Sequence, residues 1–141
     1  MGDLYLPVEA RAQLEEMVRR GYPFETCGLL VGRQRIGGVE VVRVAEARNL
    51  NQERAHDRYD LDPQDFLIAD EQARTAGLEI VGVWHSHPDH PARPSETDRA
   101  SAWEGWSYMI VSVTRDSVTD LRSWRLTSER FVEETITSCP V

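Results

Sequence analysis

The chain of 141 residues contains no lysine, so the positive charge comes from 16 arginines. Against 24 acidic side chains they leave a formal net charge of −8. Nucleic acid attracts clustered basic residues, so we expect no nucleic-acid partner for so acidic a chain. Two explanations for the missing lysine stay open: a GC-rich genome that favours arginine codons, and adaptation to high salt.

Cysteine is scarce as well, with only Cys27 and Cys139 in the whole sequence. Two cysteines are too few for a disulfide framework, and neither belongs to a Cys-x-x-Cys pair of the kind that binds metal. The sequence leaves open whether the two cysteines meet, and two free thiols are the simplest interpretation. Cys27 is expected to be a small buried residue of a strand rather than a nucleophile.

Long apolar runs are also absent, since none approaches the roughly 20 residues that cross a bilayer. Residues 1–7 lack the basic patch and apolar stretch of a signal peptide. The length suits one domain, and no repeat or linker divides the chain. We expect a single domain over residues 1–141, located in the cytoplasm and without a membrane partner.

Hydrophobic spacing and capping residues predict an alternation of helices and strands. Helices are expected over residues 7–20, over residues 62–77 with Asp62 as cap and Gly77 at the end, and over residues 95–103. Phe66, Leu67, Ala69, Ala73 and Ala76 are expected to form most of the apolar face of the second helix. Strands are expected over residues 28–32, 39–45, 78–84, 106–113, 118–126 and 131–136. This order predicts an α+β domain, with a mixed or mostly antiparallel sheet packed against helices.

The most informative stretch, residues 85–98, reads His-Ser-His-Pro-Asp-His-Pro-Ala-Arg-Pro-Ser-Glu-Thr-Asp. His85 and His87 follow an apolar strand, and side chains two residues apart on a strand point to the same face. Asp98 follows a proline-rich loop, in the first turn of the predicted third helix, and can supply a third ligand. Two imidazoles and one carboxylate leave a fourth zinc position for water, as catalytic zinc sites do.

Each part of this pattern has a structural alternative when it stands alone. A lone His-x-His pair is common without a metal, and the spacing of Ser95 and Asp98 is also that of a helix-capping box. The joint pattern is more specific, because it combines the apolar strand, the histidine pair, a loop of fixed length and the Ser-x-x-Asp group.

The arrangement His85-x-His87-x7-Ser95-x-x-Asp98, with Glu25 far upstream, resembles the JAMM (MPN-plus) zinc metalloprotease family. The upstream segment Phe-Glu-Thr-Cys-Gly-Leu-Leu-Val-Gly, residues 24–32, is similar to the first signature of that family. The resemblance extends from the first helix to about residue 113. It implies the JAMM/MPN fold, which is of the cytidine-deaminase-like type.

The resemblance also implies a role for each matching residue. His85, His87 and Asp98 would bind one Zn²⁺ per chain. Glu25 would not bind the metal but would carry the proton from water to the leaving amine, and Ser95 would help to hold the oxyanion. From the residues alone, Glu25 is equally a solvated carboxylate ahead of a strand, and Ser95 is equally a helix cap.

The compact bacterial and archaeal members that this chain resembles act at the Gly-Gly tail of ubiquitin-like sulfur-carrier proteins. The resemblance therefore implies a peptidase or isopeptidase, similar to deubiquitinases, that cleaves after Gly-Gly, for example releasing cysteine from a carrier–cysteine adduct. Three alternatives stay open: a non-haem iron enzyme, a non-catalytic MPN-type interaction module, and a JAMM hydrolase of cell-wall or phage-tail peptides.

The remaining histidines and the tryptophans are assigned to less specific roles. His90 is expected to face solvent or substrate from the loop beside the site, and His56 to lie on a surface loop. The four tryptophans are expected to form core and groove walls, with Trp103 or Trp106 beside a substrate channel.

Overall fold

A computed structural model describes residues 2–55, 58–100 and 102–138 of the chain. In chain order the elements are β1 (Asp3–Tyr5), α1 (Val8–Gly21), β2 (Cys27–Arg35), β3 (Gly38–Ala47), α2 (Pro63–Thr75), β4 (Glu79–Pro88), α3 (Glu96–Ala100), β5 (Ser107–Val113), β6 (Val118–Thr127) and β7 (Arg130–Thr137). The order confirms the α+β class. His56 and Cys139 lie outside the described residues, so the predictions for them stay predictions.

The strands form one sheet, in the order β1-β3-β2-β4-β5-β6-β7, that closes into a barrel. Parallel and antiparallel pairs both occur, but the sequence did not predict the closure. β1 closes the barrel because it pairs in parallel with β3 on one side and β7 on the other. A strand of three residues is too short to show an alternating pattern, which is why it was missed. Its pairing leaves neither β3 nor β7 as an exposed edge.

The first six residues of the central strand β2, residues 27–32, are buried. Leu30 belongs to the apolar cluster that includes Leu14 and Val18 of α1. Leu29 belongs to a second cluster, together with Ala73 of α2. Burial on both faces explains why this segment is a continuous apolar run rather than an alternating one.

α1 covers one of these clusters with a single stripe of side chains. Ala10, Leu14 and Val18 are buried and follow one another at intervals of four residues, which places them on one helix face. The helix extends one residue beyond the predicted end, to Gly21. No helix within the described ranges is long and apolar enough to span a membrane.

α2 begins and ends as the sequence predicts. The carboxylate of Asp62 accepts a hydrogen bond from the backbone N–H of Gln64 at 2.9 Å, and Pro63 occupies the first helical position. Gly77 follows the helix with a φ of 75°, a left-handed conformation that glycine adopts without steric cost.

The apolar face of α2 differs from the prediction. Ala69 and Ala73 are buried, and Phe66 packs against the same cluster. Leu67 and Ala76 were placed on this face wrongly, because both are exposed. Small alanines let α2 lie close to the sheet, so the buried face is narrower than the count of apolar residues indicates.

Candidate metal centre

The histidine pair lies at the end of β4, between β2 and β5. His85 and His87 project from the same face of the strand, and their Nε2 atoms are 3.1 Å apart. Both are buried, with His85 only 1% exposed. Alternation along a strand, read from the sequence, therefore predicted their convergence correctly.

Asp98 joins the pair from the first turn of α3. Its Oδ1 lies 3.4 Å from Nε2 of His85, and its Oδ2 lies 3.3 Å from Nε2 of His87. Ser95 holds this carboxylate through a reciprocal cap. The Ser95 N–H donates to Oδ2 of Asp98 at 2.7 Å, and the Asp98 N–H donates to Oγ of Ser95 at 3.0 Å. The structure thus brings together the three residues that were predicted from the sequence to be metal ligands.

The arrangement of the three side chains suits a single zinc ion. Zinc–nitrogen bonds of about 2.0–2.1 Å in a tetrahedron place neighbouring ligand atoms about 3.3–3.4 Å apart. The two Nε2 atoms are 3.1 Å apart, and each lies 3.3 or 3.4 Å from a different carboxylate oxygen of Asp98. One ligand atom from each of His85, His87 and Asp98 can therefore reach the same ion, and the cluster supplies only three ligands.

The two imidazoles are oriented by different means. Nδ1 of His87 lies 2.8 Å from the carbonyl oxygen of Pro91, which can only accept, so Nδ1 carries the proton and Nε2 is free to bind a metal. Nδ1 of His85 is buried and has no hydrogen-bond partner within residues 2–55, 58–100 and 102–138. The His85 ring stacks instead on Tyr59, with ring centroids 4.6 Å apart.

Electrostatics at the centre favour the metal-binding protonation state of Asp98 and His85, but not that of His87. Burial opposes ionisation of Asp98, but its contacts with His85 and His87 outweigh burial and hold its pKa below the usual range. Burial lowers the pKa of His85 and favours its neutral form. Burial also disfavours the charged form of His87, yet the contacts with Asp98 and the Pro91 carbonyl raise its pKa on balance. An ionised carboxylate and a neutral imidazole are the forms that ligate metal.

Glu25 lies immediately before β2 and is 7% exposed. Its backbone is anchored on both sides: its N–H donates to the carbonyl of Ala55, and its carbonyl accepts from Nδ2 of Asn49 at 3.1 Å. The next residue, Thr26, exchanges two hydrogen bonds of 2.9 Å with Ser86, the residue between the two histidines. These bonds fix the Glu25 segment against the strand that carries the histidines.

The centre opens into a cleft of about 580 Å³. Glu25, His87, Ser95 and Asp98 all line it, so the cleft joins four of the five predicted site residues, while His85 is not among its lining residues. Aromatic side chains form much of its wall: Tyr59, Phe66, Trp103, Trp106 and Tyr108. Trp103 and Trp106, one of which was expected beside a channel, both line the cleft, and their rings stack with centroids 6.1 Å apart.

Several cleft residues were not predicted from the sequence. No role was predicted for Tyr59, and Phe66 was assigned only to the apolar face of a helix. A single aromatic residue in an otherwise polar segment was the available signal for Tyr59. Of the other two tryptophans, Trp84 is fully buried, and Nε1 of Trp124 donates to the carbonyl of Ala92 at 3.1 Å.

Two residues near the centre have the roles that the sequence indicated. Cys27 is a fully buried free thiol in β2, and burial raises its pKa to about 12. A thiol with so high a pKa is a poor nucleophile, which confirms its interpretation as a packing residue. His90 is exposed and lines the cleft, as expected of a residue on the substrate side.

Comparison with known proteins identifies the family. The pattern of the family described as prokaryotic homologs of the JAB domain matches residues 7–127. The chain belongs to the prokaryotic JAB family. The match confirms the resemblance inferred from residues 85–98 and Glu25, and its range includes all five candidate site residues.

This chain is similar to proteins with named activities and to a protein of solved structure. The desampylase of Haloferax volcanii is 34% identical over 116 residues, which cover 77% of this chain and 80% of that protein. The CysO-cysteine peptidase of Mycobacterium tuberculosis is 30% identical over 139 residues, covering 96% of this chain and 92% of that one. The solution structure of protein DSY2949 from Desulfitobacterium hafniense superposes with a TM-score of 0.84 at 30% identity, covering 95% of this chain and 91% of that one.

Proposed function

We propose that this chain is a zinc-dependent peptidase or isopeptidase that hydrolyses the bond after the C-terminal Gly-Gly of a small ubiquitin-like sulfur-carrier protein. One observation carries the proposal. The cluster of His85, His87 and Asp98 has metal-ligand geometry and meets the cleft that Glu25 also lines. Three protein ligands with an open fourth position are typical of catalytic zinc sites, whereas structural sites have four protein ligands.

His85, His87 and Asp98 would hold one zinc ion per chain. When bound, zinc would polarise the scissile carbonyl and lower the pKa of water to about 7. Two histidines and one carboxylate also bind non-haem iron. The buried Glu25 favours hydrolysis, because a carboxylate in the same cleft supplies the proton transfer that amide cleavage requires.

Glu25 acts in this proposal as the proton carrier. Its carboxylate accepts a proton from the attacking water and delivers it to the leaving amine, which departs as a neutral group. Anchoring of its backbone by Ala55 and Asn49 limits its movement relative to the histidines. Positioned proton transfer of this kind contributes about 10²–10⁴-fold to the rate.

Ser95 can serve as cap and as oxyanion donor at once. Capping uses its oxygen as an acceptor for the Asp98 N–H. The hydroxyl proton stays available to donate to the carbonyl oxygen of the substrate as that oxygen gains charge. The two roles that the sequence left open are therefore compatible.

The aromatic wall of the cleft supports a glycine tail as substrate. Glycine has no side chain, so a Gly-Gly segment lets the substrate backbone lie close to a wall that includes Tyr59, Trp106 and Tyr108. Similarity to the CysO-cysteine peptidase over nearly the whole chain supports a carrier–cysteine adduct as one substrate. Similarity to a desampylase supports protein conjugates as another.

The alternatives fit less well. A non-catalytic MPN-type module has no need for a complete ligand set, whereas all three ligands and Glu25 are present here. A JAMM hydrolase of cell-wall or phage-tail peptides differs in substrate only, so an assay that offers both substrate types separates it.

The single-domain organisation over residues 1–141 and the cytoplasmic location stay predictions.

Metal analysis of matched variants tests the assignment of roles. Glu25→Gln should keep about one zinc per chain and lose turnover, because this side chain moves protons without ligating. Asp98→Asn should lose zinc itself, and Glu16→Gln on the exposed surface of α1 should change neither property. Less than a tenth of an equivalent of zinc in the wild-type protein after zinc titration would exclude the assignment.

A further inference from the structure

The loop between His87 and Ser95 is fixed by hydrogen bonds from side chains to its backbone carbonyls. Three consecutive carbonyls in it each accept a hydrogen bond from a side chain elsewhere. Oγ of Ser112 donates to the carbonyl of His90 at 2.5 Å. Nδ1 of His87 donates to the carbonyl of Pro91 at 2.8 Å, and Nε1 of Trp124 donates to the carbonyl of Ala92 at 3.1 Å. Ala92 is 1% exposed, so the loop is also packed into the protein.

Arg93 follows these three residues and lines the cleft, although it is exposed. Its backbone N–H donates to the carbonyl of Pro91 at 2.8 Å. Two residues of extended chain span at most about 7 Å, so the Arg93 backbone lies within that distance of both Pro91, which touches a metal ligand, and Ser95, which holds another. The arginine side chain is therefore presented to the cleft from a fixed position close to the metal centre.

The guanidinium of Arg93 differs from most other arginine side chains in its lack of a partner among the residues that the structure describes. Within the residues that the structure describes, at least nine other arginines form ion pairs with acidic side chains, as expected in a chain with a net charge of −8. For Arg93, no ion pair or side-chain hydrogen bond occurs within the described residues. Arg58 also lines the cleft, but it already interacts with other groups of the chain. The guanidinium of Arg93 is therefore available, beside the metal centre, to bind a negatively charged group of the substrate.

We propose that Arg93 binds the α-carboxylate of the residue released, so that the enzyme favours substrates whose leaving group is a single amino acid. This inference rests on the proposed function. The Gly-Gly tail carries no charge, whereas an amino acid joined to it carries a carboxylate two bonds from the scissile nitrogen. The planar guanidinium matches that carboxylate through two parallel hydrogen bonds. An isopeptide-linked protein offers no carboxylate at this place.

The test compares two versions of one substrate. A ubiquitin-like sulfur-carrier protein ending in Gly-Gly is extended by one cysteine, either with a free carboxylate or as the carboxamide, and release of the cysteine is followed by mass spectrometry. Wild-type enzyme should prefer the free carboxylate by about tenfold in kcat/KM, mainly through KM. Arg93→Gln should lose this preference, because its kcat/KM falls more for the free carboxylate than for the carboxamide.

Two further variants sharpen the comparison. Arg93→Lys should recover part of the preference, because it keeps the charge without the planar fork. Arg115→Gln, in the exposed connection between β5 and β6, should behave as wild type. Equal wild-type cleavage of both substrates would overturn the role of Arg93 and leave the proposed function intact. An equal loss on both substrates in Arg93→Gln would overturn it in favour of contact with the carrier itself. Failure of the zinc-loaded wild type to cut either substrate would overturn both proposals.

Discussion

Replacement of Ser86 by alanine should separate zinc binding from proton transfer. Ser86 lies between His85 and His87 but cannot ligate the metal from the opposite face of β4. Its Oγ accepts from the backbone N–H of Thr26 at 2.9 Å, and Oγ1 of Thr26 lies 3.3 Å from the same atom. The serine hydroxyl therefore links the histidine strand to the residue next to Glu25.

The structure sets the size of the expected effects. Loss of the hydroxyl leaves a partly buried backbone N–H without its acceptor, which costs about 1 kcal/mol in the free energy of unfolding. For a chain of this length the loss corresponds to a fall in Tm of about 2–6 °C. A displacement of Glu25 by about 1 Å can lower kcat by as much as a hundredfold. We therefore expect kcat of Ser86→Ala to fall about 10–100-fold, with zinc content unchanged.

Ser123→Ala provides a matched control. Ser123 is also a fully buried serine, and its Oγ donates to Oε1 of Glu134 at 2.8 Å, away from the cleft. Its replacement should lower Tm by a similar amount and leave kcat unchanged. The assay combines thermal unfolding, metal analysis and single-substrate kinetics. A kcat of Ser86→Ala within twofold of wild type, or an equal kcat loss in both variants, would refute the link between Ser86 and Glu25.

Two further predictions concern a core thiol and the cleft wall. The pKa of Cys27 is about 12 in the folded chain and about 8.5 in an unfolded one, so the unfolded state ionises first and stability should fall as pH rises from about 9 towards 12. Denaturant unfolding at pH 8 and 10.5 should show a steeper loss for wild type than for Cys27→Ala, and equal slopes would contradict the assignment. Trp103 is 71% exposed and stacks on Trp106 in the cleft. Trp103→Ala should raise KM several-fold with little change in Tm, and an unchanged KM would exclude this wall from substrate binding.

The ligand set was predictable from the sequence because local rules determine most of its geometry. A spacing of two on a strand places His85 and His87 on one face, and the Ser-x-x-Asp pattern predicts the cap that holds Asp98. The start of α2 followed from Asp62 and Pro63 for the same reason. Glu25 is different, because 60 residues separate it from the histidines, and only the family resemblance connected it to them.

Features that depend on distant contacts were not predictable in this way. Closure of the barrel rests on β1, whose three residues pair with strands far away in the sequence. The exposure of Leu67 depends on the distance between α2 and the sheet, and the sequence of the helix alone does not determine that distance. The ring of Tyr59 stacks on His85 of β4, which lies far from it in the sequence, and no periodic pattern predicts such a contact.

The most direct test of the central claim uses a sulfur-carrier protein that bears cysteine after its Gly-Gly end. It is incubated with zinc-loaded wild type, with chelator-treated wild type and with Glu25→Gln, and intact masses are followed over time. The account predicts that only zinc-loaded wild type removes the cysteine, that added zinc restores the chelated sample, and that Glu25→Gln keeps its zinc without turnover. Removal of the cysteine by Glu25→Gln at the wild-type rate, or no removal by the zinc-loaded wild type, would contradict it.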